Sequence, residues 1–221
     1  MGERPVTFTL EQKIYCALNF LVIVGLCASA ITASKIIQVG SFVFPCSNII
    51  FSLLTFPVTD VISEIWGSKE AKRTVWISFA AQVLFVVLVQ GSVHLPGATS
   101  WGNQDAYQLV LGSGPRIVAA SMVAFITSQI WDVVVYDKLK ALTKGRYLLL
   151  RNNVSTFTSQ LLNSALFITI AFYGSQPVLP LIFGSILLKW AIATIDTPLV
   201  YWGVRSIDRA LGGKTRAYQA S

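Results

Sequence analysis

A few polar side chains sit where this chain is otherwise apolar, and any chemistry it performs should lie there. Around Asp132, the residues Ser121, Ser128 and Gln129 recur at helical spacing. Further on, Ser159 and Asn163 are i, i+4 and Gln160 and Asn163 are i, i+3, so they share one helical face. Lys189 and Asp196 are i, i+7, two turns apart on one face. An ionised group at mid-bilayer on an inserting helix costs roughly 2.5–3.5 kcal/mol, so each needs compensation. Two readings compete. The stripes could hold helices together through hydrogen bonds of about 0.6 kcal/mol each, which suffices for the Ser and Thr residues. For Asp132, Gln129, Gln160, Asn163 and Lys189 together, a polar cavity is favoured. Asp60 and Glu64 lie near Lys69 and Arg73 in sequence, where an inner gate, a coupling site, a structural role or substrate contact would all fit. Asp196 and Arg116 complete the charged candidates for gating or coupling.

The elements that must carry these residues follow from composition. Of 221 residues, 54% are hydrophobic and only 12% charged, against roughly 25% charged in a soluble domain. Too little charge is present to cover a soluble globule or to keep a disordered chain in water. With a mean hydropathy of +0.63, the chain reads as an integral membrane protein, all-α, with residues 1–221 forming a single membrane domain. Six predicted spans cover about 14–33, 41–63, 74–93, 116–136, 154–173 and 179–203. Spans 2, 4 and 6 each hold one Asp in their inner half: Asp60, Asp132 and Asp196. Gly25, Ser29 and Ala33 recur at four-residue spacing, which suits close helix packing. The loop at about 94–115 contains WGNQDAYQLVL, a candidate interfacial helix, with His94 at its edge as a solvated loop residue.

The net charge of +7 could signal nucleic acid, but its distribution argues for topology. Fourteen of the 17 Lys and Arg fall in the N-terminal segment, the 2–3 loop, the 4–5 loop and the C-terminal tail. Lys35 and Arg116 alone fall on the other side. The positive-inside rule then places both termini in the cytoplasm. Lipid is the expected partner, and nucleic acid is not a direct one; a homo-oligomer is compatible with these features.

Enzyme signals are poor. The chain has one His and no G-x-S-x-G, H-E-x-x-H, CxxC or P-loop, so it reads as a non-enzyme that does not hydrolyse ATP by itself. Cys16, Cys27 and Cys46 fall in apolar runs and read as buried small hydrophobes. No disulfide, metal or cofactor is expected.

The run FPVTDVISEIWGSKEAKRTVW (56–76) and the stretch from PRIVAASMVAFITSQIWD (115–132) through RNNVSTFTSQLLN (151–163) resemble the queuosine-precursor transporters of the bacterial inner membrane, a branch of the vitamin-uptake-transporter type. The most specific pieces are Asp60, Glu64, Gly67 and Ala71, the SQxxD at 128–132, and RNN-x-ST at 151–156. The resemblance implies import of 7-cyano- and 7-aminomethyl-7-deazaguanine for queuosine in tRNA. Where the family pattern reads SQ-x-x-D on helix 5, this chain has Asn163, which carries an amide but no titratable proton. A deazaguanine presents N–H donors along one edge, a carbonyl acceptor and flat rings. Against it, Asp132 would act as acceptor, Gln129, Gln160 and Asn163 as amide partners, Lys189 as a further donor, and Trp131 or Trp190 as stacking surface. Two rivals remain: the substrate-binding subunit of an ATPase-coupled vitamin importer, and a membrane enzyme or assembly factor without transport.

Overall fold

The computed structural model describes residues 8–143 and 148–213. Some side chains within its helices, including those of Gln129, Asp132 and Asp196, lie outside the described residues. In chain order the elements are α1 (Leu10–Thr32), β1 (Ile36–Val39), β2 (Phe42–Pro45) and α2 (Ser47–Ile50). A π-helical turn (Phe51–Thr55) then leads into α3 (Phe56–Trp66), α4 (Ser68–His94), α5 (Gln104–Leu111), α6 (Gly114–Leu142), α7 (Leu148–Phe172) and α8 (Val178–Ala210).

Local chemistry sets these boundaries. A capping box starts α1: Thr9 Oγ1 accepts from the Gln12 amide, and Gln12 Oε1 accepts from the Thr9 amide. Gly67, with φ +93°, breaks the chain between α3 and α4 in a conformation that side-chain-bearing residues avoid. Four segments among the described residues are long and apolar enough to cross a membrane: Leu10–Thr32, Ser47–Trp66, Ser68–His94 and Gln104–Ser128. Two shorter apolar stretches, Phe157–Phe172 and Val178–Ile192, lie in α7 and α8.

One expected span begins elsewhere. Position 41 was the predicted start of the second helix, but residues 36–45 form an antiparallel hairpin, with Ile36 opposite Pro45 and Val39 opposite Phe42. Hydropathy cannot separate a short apolar strand from the start of a helix. The deciding features are local. Gly40 (φ +59°) supplies the turn, the flanks are rich in β-branched and aromatic residues, and Pro45 disfavours the α conformation at Phe44. The helix therefore starts at Ser47. The loop helix read from WGNQDAYQLVL is present as α5. It is tied to α4 by Gln104 Nε2 donating to the Val93 carbonyl (2.9 Å), Gln90 Nε2 donating to that of Leu111 (2.8 Å), and a Ser92–Tyr107 hydroxyl pair (2.8 Å). His94 is exposed nearby.

Helix packing closes on itself. α6 packs along α7, α7 against α8, α8 against α3 and the hairpin, α3 against α4 and α1, and α4 against α1 and α6. Separate apolar clusters stabilise different parts of this ring. Ala120, Ile168, Phe172 and Leu181 join α6, α7 and α8; Val22, Ile62 and Ala71 join α1, α3 and α4; Ala30, Val86 and Val118 join α1, α4 and α6. Gly25 lets α1 approach the π turn, since an added Cβ would lie 2.8 Å from Thr55 Oγ1. Large apolar side chains such as Phe20, Leu88 and Leu179 instead face outward, each more than 60% exposed. That surface suits lipid rather than water. The same fact corrects the reading of the cysteines: Cys16 is exposed and Cys27 and Cys46 only half-buried, all three free. A bilayer hides an apolar side chain without any protein contact, so an apolar run does not imply burial within the fold.

Candidate binding cavity

Inside the ring lies a cavity of about 80 Å³. Every long helix contributes to it: Leu26 and Ser29 from α1, Phe79 and Gln82 from α4, Ser121, Phe125 and Ser128 from α6, Gln160, Asn163 and Phe167 from α7, and Lys189 from α8. Ser47, Asn48, Phe51 and Phe56 enter from the α2–α3 segment. The π turn lies in this wall, with Phe51 and Phe56 meeting edge to face at 4.7 Å. Such turns widen a helix locally and reposition side chains around sites.

The polar side is a chain of hydrogen bonds across three helices. Lys189 Nζ donates to Asn163 Oδ1 at 3.2 Å and to Ser164 Oγ at 2.9 Å. Asn163 Nδ2 in turn donates to Ser128 Oγ at 3.3 Å, and Ser128 Oγ donates to the Phe125 carbonyl at 3.0 Å. The bond from Lys189 uses the Asn163 carbonyl as acceptor, which leaves its amide nitrogen to reach α6. Asn48 Nδ2 donates to Ser185 Oγ at 2.7 Å and pins α2 to α8.

Some polar atoms stay unpaired. Gln160, Gln82 and Ser47 line the cavity, and Gln160 Oε1, Gln82 Oε1 and Ser47 Oγ are buried without a partner among the described residues. A buried acceptor without a donor costs about 1–3 kcal/mol, and a ligand carrying N–H groups would recover that cost. Among the described residues, the aromatic lining consists of five phenylalanines: Phe51, Phe56, Phe79, Phe125 and Phe167.

Of the residues read from the sequence, Gln160, Asn163 and Lys189 converge here. Asp132, Gln129 and Asp196 lie outside the described residues. Trp131 and Trp190 do not line the cavity. Trp131 is 46% exposed on α6, and Trp190 is 43% exposed and tilted against Phe157 at 4.8 Å. Their apolar rings satisfy the bilayer side, and phenylalanines supply the inner faces instead. Arg116 has a definite task away from the cavity. Its Nε and Nη2 donate to the carbonyls of Ile170 (2.7 Å) and Tyr173 (2.6 Å), covering acceptors that the end of α7 leaves open. Asp60 and Glu64 are exposed on α3. Sequence reasoning missed Asn48 and Gln82. Both stand out as amides in uncharged runs, a signal available without any structure.

The polar cavity lies inside a helical bundle whose outer surface is apolar. Residues 45–203 match the family described as "Putative vitamin uptake transporter". A relative from Bacillus subtilis, named "Probable queuosine precursor transporter", is 32% identical over 171 residues, covering 76% of this chain and 74% of its own. No solved structure matches the chain. The multi-pass helical architecture, the buried polar cavity and these likenesses agree: the chain belongs to the vitamin uptake transporter family.

Proposed function

We propose that this protein is an inner-membrane importer of queuosine precursors, 7-cyano- and 7-aminomethyl-7-deazaguanine, with six spans and both termini in the cytoplasm. The name of the Bacillus subtilis relative supports the substrate class. The observation that carries the reading is the cavity itself, an apolar, phenylalanine-rich chamber with a polar row from Ser128 through Asn163 to Lys189 and open amide oxygens. A deazaguanine has flat rings for the phenylalanines, a carbonyl for an amide or ammonium donor, and an N–H edge for the open oxygens. Asp132, one turn beyond Ser128 in sequence, adds an acceptor in this reading, and Gln129 a further amide. Transport would follow if the cavity opened alternately to either side of the membrane.

Uptake in cells unable to make the precursors, read as queuosine content of tRNA, tests the assignment. Asp132→Asn, Asn163→Ala and Lys189→Met should each lower import roughly tenfold or more at normal membrane abundance. Wild-type import by both Asp132→Asn and Asn163→Ala would overturn the site. Saturable uptake by the purified chain in liposomes would separate a self-sufficient importer from an ATPase-coupled subunit.

A further inference from the structure

We infer that Gln82, on α4, is a specificity-determining residue that accepts a hydrogen bond from the N–H edge of the ligand; the inference rests on the deazaguanine reading above. Gln82 is 1% exposed and lines the cavity. Its Nε2 donates to the backbone carbonyl of Leu26 at 2.8 Å. A carbonyl can only accept, so this bond fixes which end of the carboxamide is nitrogen and which is oxygen. The amide cannot flip without losing the bond and leaving the Leu26 carbonyl unpaired. Oε1 is therefore held as an acceptor on a residue of the cavity wall, buried and without a partner among the described residues.

Gln160, on α7, lines the same cavity, and its Oε1 is likewise buried without a partner among the described residues. The packing order sets α6 between α4 and α7, so the two acceptors come from different walls. A ligand that quiets both must supply two N–H bonds, one to each oxygen. A guanine-type ring does, through N1–H and the 2-amino group. A ring bearing only acceptors along that edge would leave both oxygens buried and unpaired. Selectivity then comes from the penalty on the wrong ligand, which for an unpaired buried polar group amounts to roughly tenfold per missing donor.

The test pairs ligand changes with protein changes in the cell uptake assay. 7-Cyano-7-deazaguanine, its N1-methyl derivative and its 2-desamino derivative serve as competitors of precursor import. Wild-type protein should bind each altered competitor about tenfold more weakly than the parent compound. In Gln82→Met, which keeps the side-chain length but removes the acceptor, one of those two penalties should vanish while the other persists. Gln160→Met should erase the other one. Gln82→Leu replaces the Met variant if immunoblotting shows that the latter fails to reach the membrane. Full persistence of both penalties in an inserted Gln82 variant overturns the inference. So does the absence of either penalty in the wild type, a result that needs no mutant. If wild-type protein imports no precursor at all, the functional reading itself has failed, and that outcome is distinct from the others.

Discussion

The corner where α1 meets the α3–α4 junction and the cavity lined by the same helices are both polar regions in an apolar molecule, yet they treat polarity in opposite ways. At the corner the hydrogen bonds form a closed set. Tyr15 Oη donates to Glu70 Oε2 (2.9 Å), Trp66 Nε1 to Glu11 Oε1 (2.9 Å), and Thr74 Oγ1 to Asn19 Oδ1 (2.8 Å). Asn19 Nδ2 completes the set by donating to the Tyr15 carbonyl at 2.8 Å, and Tyr15 also packs edge-on against Trp66 at 5.2 Å. In the cavity, Gln82 and Gln160 each retain an open acceptor. A closed polar cluster contributes stability; an open one gives up stability in exchange for a capacity to bind. Polarity alone therefore does not mark a site.

Three substitutions can break or sharpen this contrast. The largest effect is expected at Gly184, which belongs to neither cluster but holds the hairpin against α8. An added Cβ there would collide with the Val43 backbone carbonyl, and neighbouring Ser185 accepts the Asn48 bond. Gly184→Ala should destabilise by about 3 kcal/mol and lower import with it, read by thermal unfolding in detergent beside uptake. An unchanged unfolding temperature would show that the hairpin is free to shift.

Gln160→Leu should separate binding from folding. Import is expected to fall roughly tenfold, while stability stays level or rises because a buried unpaired oxygen is removed. Loss of stability without loss of import would make Gln160 a structural residue and erase the distinction between the two regions. The smallest effect belongs to the corner. Tyr15→Phe leaves the ring in place and removes only the hydroxyl, so stability should fall by about 1 kcal/mol, with import per inserted molecule unchanged. A selective fall in import would mean that the corner moves during transport.

Much of the cavity's polar row was legible in advance because α6, α7 and α8 each carry their polar residues at helical spacing. Gln160, Asn163 and Lys189 could be named from that periodicity. The stripe also explains Gly25 and Ser29, both buried where α1 packs closely on its neighbours. Gln82 and Asn48 escaped notice because a lone amide in an apolar run looks like helix–helix glue; for Gln82 only its unpaired oxygen shows otherwise. The tryptophans failed for a related reason. An aromatic ring facing lipid and one facing a cavity have the same hydropathy, so spacing cannot assign Trp190 to one or the other.

By itself the sequence determined that the chain lives in a membrane, since 12% charge cannot cover a water-facing surface, and it determined which face of α6, α7 and α8 is polar. Only the tertiary structure decided which polar faces meet. Periodicity reports an angle around one helix axis, whereas a cavity depends on how several axes pack together. The phenylalanine lining and the fixed orientation of the Gln82 amide arise at that level, through contacts between residues far apart in the chain.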